Sequence, residues 1–266
     1  MTLHSRTSGP SGLARERLLS LPGEPLFIAG WHNALMMHFE VGAGELQRHV
    51  PYELDLWEGR AFISLVAFSM RNMRTRGGGK LAALCFRPIA THEFLNVRTY
   101  VRQGDEWGIH FLAEWLTSRL AVMLGPRTFG LPYRHGRIAY RYDFRNGRLS
   151  GCVTDIKRNG KLEYSASLDT PAIFQPCAAG SLDEWLMERY TAYNSGNGVR
   201  RFFRVWHRPW PQCRANVTLA DNSLLTNNWP LFSEARLIGA NFSPGFDEVW
   251  MGRPWRLDRI ENSLLP

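Results

Sequence analysis

The sequence predicts a mainly β member of the α+β class: an antiparallel sheet, closed or nearly closed into a barrel, with a few short helices. Segments of strand pattern punctuated by turn residues recur along almost the whole chain, whereas helical periodicity is confined to short stretches. The 266 residues are 44% hydrophobic and 12% aromatic, enough to fill a sizeable core.

The elements follow in order. Residues 1–24 read as a mobile N-terminal tail with a short helix near Leu13 to Leu19. Residues 25–266 read as one domain, since no repeat, low-complexity tract or Pro/Ser-rich linker divides them. Asn33 to Val41 has strand pattern, and Gly44 to Val50 is a short helix stopped by Pro51. Arg60 to Met70 is apolar on both faces, which predicts a strand buried on both sides. Arg71 to Lys80, with Gly77, Gly78 and Gly79, reads as a flexible basic loop. A phosphate-cradling loop would end Gly-Lys-Ser/Thr and open a helix, but Leu81-Ala82 follow here. Glu93 to Val101 and Trp107 to Trp115 are the next strands. Arg137 to Phe144, Arg148 to Lys157 and Lys161 to Ser167 form a meander. Its turns, Asn146-Gly147 and Asn159-Gly160, carry the dipeptide that suits type I′ geometry, where both central residues need positive φ. Ser181-Leu182-Asp183-Glu184 is a capping box opening a helix from Leu182 to Tyr190. Further strands are expected near Val199 to His207, Arg214 to Leu219 and Asp247 to Met251.

Composition narrows the function classes. The longest apolar stretch, Leu26 to Phe39, is broken by Gly30, His32, Asn33 and His38, short of the ~20 apolar residues of a membrane span. The N-terminal segment lacks the apolar run of a signal peptide. Cys85, Cys152, Cys177 and Cys213 are far apart, which speaks against a zinc site or disulfide framework and for a reducing cytoplasm. The histidines form no i, i+4 pair, so no metal is expected, and no motif calls for a cofactor.

The net charge is +8, and Lys80, Lys157 and Lys161 are the only lysines; the surplus is arginine. Such a chain attracts anions. Arg200-Arg201-Phe202-Phe203-Arg204-Val205-Trp206-His207-Arg208 interleaves basic and aromatic residues as single-strand binders do. No nucleic-acid-binding motif accompanies it, so a half-exposed strand whose arginine stems cover apolar surface is the favoured reading, and no nucleic-acid partner is expected.

A candidate site comes from strand register. Leu95, Val97 and Val101 share one face of the first strand of the hairpin, and Trp107, Ile109, Phe111, Ala113 and Trp115 share one face of the second. Matching these apolar faces places Asn96, Arg98 and Tyr100 beside His110 and Glu114 on the other. From pattern alone that face could be solvated or could line an interior.

Three segments carry a family resemblance: Leu46-Gln47-Arg48-His49-Val50-Pro51, Asn96-Val97-Arg98-Thr99-Tyr100-Val101 and Gly130-Leu131-Pro132-Tyr133-Arg134. From Trp31 to Arg253 the chain resembles the YqjF-like family, an uncharacterised branch of the acetoacetate-decarboxylase-like superfamily. The resemblance implies an acetoacetate-decarboxylase-like barrel whose interior is lined by the strands bearing Arg98 and Glu114. Superfamily enzymes carry two adjacent lysines after a Gly-x-x-x-x-Gly-x-Pro stretch, one forming a Schiff base and the other lowering its pKa. Here Gly125, Gly130 and Pro132 match, but the pair is Tyr133-Arg134. The resemblance implies that the family's catalytic glutamate aligns near Asn96 and that the position nearest its substrate-binding arginine on the early strand is Glu40, with Arg98 a candidate for that electrostatic role. All three lysines lie in contexts expected to be exposed and protonated, which argues against imine chemistry.

The expected ligand is therefore a small organic anion, an oxo- or hydroxy-acid. Arg98, Asn96, Tyr100 and Arg134 are the candidate binding residues, and Tyr133, Glu114 and His110, with His135 in the same loop, the candidate acids and bases. Extended geometry points Tyr133 and Arg134 to opposite sides unless Pro132 introduces a turn. A non-catalytic ligand-binding or interaction module is the alternative. Homo-oligomerisation, known for superfamily barrels, is left open.

Overall fold

The computed structural model describes residues 9–77, 79, 84, 86–196 and 198–257. Thirteen strands dominate: β1 (Phe27–Val41), β2 (Glu53–Leu54), β3 (Ala61–Thr75), β4 (His92–Gln103), β5 (Glu106–Leu116), β6 (Tyr133–Asp143), β7 (Arg148–Asp155), β8 (Lys161–Leu168), β9 (Thr191–Gly196), β10 (Val199–Trp206), β11 (Cys213–Asp221), β12 (Arg236–Met251) and β13 (Trp255–Arg256). All belong to one hydrogen-bonded sheet in the order β13-β10-β9-β5-β6-β7-β8-β11-β12-β1-β3-β4-β2, with additional pairings β4–β5 and β10–β12. Most pairs are antiparallel, while β5 runs parallel to both β6 and β9.

Two apolar cores flank the central strands, which explains the uninterrupted apolar run of β3. From Ala61 to Met70 every residue is buried. Ile63, Leu65 and Ala67 enter one core with Leu95, Val97 and Trp115, and Phe62, Val66 and Phe68 enter the other with Phe94, Tyr100 and Phe111. A strand covered on both faces has no polar side to show.

Several expectations need adjustment. The meander is present, but its turns are not two-residue type I′ turns: residues 144–147 and 156–160 connect its strands. Each connection carries one positive φ, at Gly147 and at Asn159, so the Asn-Gly dipeptides serve longer loops. The second capping interaction also differs. Ser181 Oγ accepts from Glu184 N at 3.2 Å, while Glu184 Oε2 accepts from Gly180 N rather than from the cap residue. β12 is far longer than the segment expected near Asp247, because Gly239, Pro244 and Gly245 interrupt its sequence pattern. Gly245 has φ +93, and a Cβ there would lie 1.8 Å from the Trp31 carbonyl oxygen, so the glycine is what lets β12 cross β1 closely. β3 continues through Thr75 into the stretch expected to be a loop; Gly78 and Lys80 lie outside the described residues.

The N-terminal helix, Pro10–Leu19, packs on β10. Leu18 is fully buried, Ser11 Oγ donates to the His207 carbonyl at 2.7 Å, and Arg204 donates to the Arg17 carbonyl at 2.8 Å. Residues 1–8, expected as a tail, lie outside the described residues. Among the described residues no helix is long and apolar enough to cross a membrane.

Candidate binding cavity

β4 begins one residue earlier than the sequence suggests, so His92, Phe94, Asn96, Arg98 and Tyr100 alternate along one face. Asn96 pairs with Glu114 on β5. The register then slips at a β-bulge: Val97 pairs with Ala113 but Arg98 with Phe111, which leaves Leu112 as the extra residue. A bulge inverts the facing of everything beyond it. Phe111 and Ile109 therefore share the face of Arg98, and His110 is turned away. The expectation that His110 meets Arg98 is corrected: its Nδ1 lies 2.9 Å from the Tyr193 carbonyl oxygen and its ring packs on Tyr52, in the opposite layer.

Of the side chains on the Arg98 face, His92, Phe94, Asn96 and Arg98 line a cavity of about 290 Å³. Asn96, Arg98, Glu114 and Tyr133 all reach it, joined by His92 and Arg189, which the sequence reading missed. His92 follows from continuing the two-residue alternation past Phe94; Arg189 has no local signal, because it arrives from beyond the helix Leu182–Met187. Tyr133 is positioned by the Gly-x-x-x-x-Gly-x-Pro stretch. The Pro132 carbonyl accepts from Glu114 N at 3.1 Å, Gly130 has φ +70, and a Cβ on Gly125 would lie 2.3 Å from the Tyr133 ring.

Arg134 points the other way, as alternation requires. It donates to Asn228 Oδ1 at 2.6 Å and lies over the rings of Trp115 and Trp229, 5.1 and 5.6 Å from their centroids. It is thus removed from the binding set. His135 does not line the cavity, and Glu40 forms ion pairs with Arg236 and Arg60. Glu93 accepts from Ser69 Oγ at 2.5 Å.

Tyr100 stands behind the cavity wall in a buried polar chain. Its hydroxyl donates to the Leu186 carbonyl at 2.9 Å, and Arg98 Nη2 donates to the same oxygen at 3.2 Å. Ser64 Oγ is 2.5 Å from the Tyr100 oxygen and 2.7 Å from His38 Nδ1. Since the Tyr100 proton goes to Leu186, Ser64 must donate to Tyr100, and His38 must present Nδ1–H to Ser64. That tautomer is neutral, in keeping with a pKa that burial, followed by the charge of Arg98, lowers to about 3. The chain fixes the carbonyl that holds the Arg98 guanidinium.

Seven buried polar atoms without a hydrogen-bond partner belong to residues lining this cavity: Trp31 Nε1, both ring nitrogens of His92, Asn96 Oδ1, Arg98 Nε, Glu114 Oε2 and Arg189 Nη2. Each such atom costs roughly 1–3 kcal/mol, more when charged, and all of them belong to residues that line this cavity. Burial pushes the Glu114 carboxyl well above the ordinary carboxylate range and pulls His92 down to about 4. The Tyr133 phenol is pushed far above its usual value, first by burial and then by Glu114. Burial and Glu114 thus favour the neutral phenol, and Arg134 is not among the groups that shift it. Burial thus favours the uncharged forms of Glu114, His92 and Tyr133, beside the Arg98 cation, whose charge burial disfavours and Tyr100 and Glu188 support. The second guanidinium, Arg189, is already paired with Asp55 at 2.7 Å.

Among the described residues none lining the cavity is a lysine; Lys157 is exposed and Lys161 pairs with Glu163 at the surface, while Lys80 lies outside the described residues. No group of three potential metal ligands occurs among the described residues. In the basic-aromatic stripe, Phe202 and Phe203 are buried and Arg204 pairs with Glu106, so those rings are not available for stacking on bases.

The fold has solved counterparts. An acetoacetate decarboxylase-like enzyme from Sphingomonas wittichii RW1 superposes with a TM-score of 0.60 at 16% identity, over 88% of this chain and 94% of that one. Acetoacetate decarboxylase from Legionella pneumophila gives 0.60 at 10% identity, over 92% and 95%. The enduracididine biosynthesis enzyme MppR, complexed with pyruvate, gives 0.59 at 14%, over 89% and 91%. These likenesses define the class: a mainly β protein of acetoacetate-decarboxylase-like fold. Within that class the chain belongs to the DUF2071 family of uncharacterized conserved proteins, whose model matches residues 29–241. It is 30% identical to the uncharacterized protein YqjF of Bacillus subtilis (strain 168) over 201 residues, 73% of this chain and 78% of YqjF.

Proposed function

We propose that this protein binds a small organic anion, an oxo- or hydroxy-acid, in its cavity, with Arg98 as the charge partner. The observation that carries the reading is Arg98 itself: a buried guanidinium that lines the cavity, whose Nε has no partner, among other lining residues with unpartnered polar atoms. A carboxylate accepting from Arg98 would satisfy the cation, and neutral Glu114 could donate to a second oxygen. Chemistry on such a ligand would be acid/base in kind, with Glu114 and Tyr133 as proton donors and no Schiff-base lysine. The pairings β4–β5 and β10–β12, which return the strand order on itself, support a closed barrel around the site and a single domain from residue 25 onward. A pyruvate-bound relative of the same fold is consistent with a small acid as guest.

Thermal unfolding across a panel of 2-oxo, 3-oxo and hydroxy acids tests it. A ligand at about 100 times its Kd adds ~2.7 kcal/mol, and the gain should vanish in Arg98→Met. Equal shifts in both proteins would remove Arg98 from the role. Borohydride trapping with a 3-oxo acid should leave the intact mass unchanged; a stoichiometric adduct on one lysine would overturn the lysine-independent reading.

A further inference from the structure

The polar groups occupy only part of the cavity, and the remainder is walled by rings. Phe86, Phe27, Phe129 and Phe203 form one contiguous row, with successive centroids 5.4, 6.0 and 5.4 Å apart. Trp31, Phe68, Phe94 and Tyr133 form another, with separations of 5.5, 5.1 and 6.0 Å, Phe68 and Phe94 lying stacked. All eight line the cavity. Methionines 36, 70, 73 and 251 fill between them, a side chain that adapts to apolar guests of varied shape. The second row ends at Tyr133, beside Glu114, so apolar wall and polar groups belong to one continuous space.

Size points the same way. A cavity of about 290 Å³ has room for roughly ten waters at the ~30 Å³ each occupies in the liquid. A three-carbon oxo acid has six non-hydrogen atoms. Seated with its carboxylate on Arg98, it would leave the aromatic walls facing water or void, neither of which such surfaces favour.

We infer that the ligand is an amphipathic carboxylate, its charged end on Arg98 and a bulky apolar body, an aryl or medium-length alkyl group, between the aromatic rows. This rests on the anion-binding reading above and narrows it. Transfer of each methylene out of water is worth ~0.8 kcal/mol, so affinity rises roughly fourfold per methylene until the cavity is full.

Calorimetric titration of the full chain with pyruvate, butanoate, hexanoate, octanoate and 3-phenylpropanoate, and with the neutral amide of 3-phenylpropanoate, tests it. The expected result is a monotonic tightening from butanoate to octanoate, 3-phenylpropanoate at least tenfold tighter than pyruvate, and weak binding of the amide. Filling the apolar part with Ala121→Phe, or opening it with the milder Phe129→Ala, should flatten the dependence on body size; tightening as steep as in wild type in both variants overturns this inference. A series that is flat in wild type yet lost in Arg98→Met overturns this inference and leaves the anion-binding reading standing. Tightening with body size that persists in Arg98→Met, or equal binding of acid and amide, overturns both.

Discussion

Glu114 and Tyr133 are direct partners across the parallel ladder between β5 and β6, and both side chains border the cavity. Two acids of different kinds are thus held side by side, and burial favours the protonated form of both. The pairing also explains why the Tyr133 phenol is harder to ionise: any charge on Glu114 repels a phenolate.

The raised Glu114 pKa makes stability pH-dependent with a defined sign. The folded protein holds the proton above the pH at which the unfolded chain releases it, so the group's contribution is full below the ordinary carboxylate value of 4.5 and is lost as pH rises towards the folded value. Each unit of elevation corresponds to about 1.4 kcal/mol. Glu114→Gln, which cannot ionise, should show a smaller loss of Tm than wild type as pH rises above the ordinary carboxylate value of 4.5. Parallel curves for the two proteins would mean that Glu114 is not held neutral.

Gly125 lies in the helix Arg119–Thr128, yet Gly125→Ala should destabilise although alanine ordinarily favours a helix, because the added methyl would sit 2.3 Å from the Tyr133 ring. A loss of ~1–3 kcal/mol is expected in denaturant unfolding. In the Tyr133→Ala background the same change should cost less, and a double-mutant cycle measures the difference. Additivity would show that the two positions do not touch.

Much of the strand framework was legible in the sequence because apolar alternation and turn residues are local signals. The parity of β4 was readable from Leu95, Val97 and Val101, and so was the common face of Asn96, Arg98 and Tyr100. The fate of His110 was not: it depends on one extra residue, Leu112, in β5, and a bulge leaves no mark on an alternation that looks regular on both sides of it. Arg189 was hidden for another reason. It reaches the cavity from a different part of the chain and is held there by Asp55, with Trp185 under its guanidinium at 4.2 Å. The long β12 was obscured by Gly245, whose conformation reads as a break although it serves a close crossing. The resemblance to the superfamily carried Tyr133 to its place, while the opposite orientation of Arg134 followed from strand geometry alone.

Arg134→Met separates the two arginines. Arg134 joins β6 to Trp115, Trp229 and Asn228 and does not line the cavity, so its loss should cost stability, by ~1–2 kcal/mol, without reducing the shift produced by a carboxylate. A diminished ligand response with unchanged stability would return Arg134 to the binding set.

The most direct measurement is a crystal structure of the full chain with a bound carboxylate. The account predicts electron density within the cavity, with one carboxylate oxygen about 2.7–2.9 Å from a guanidinium nitrogen of Arg98 and the other within hydrogen-bonding reach of Glu114. A carboxylate bound at the protein surface, with only water beside Arg98, would contradict it.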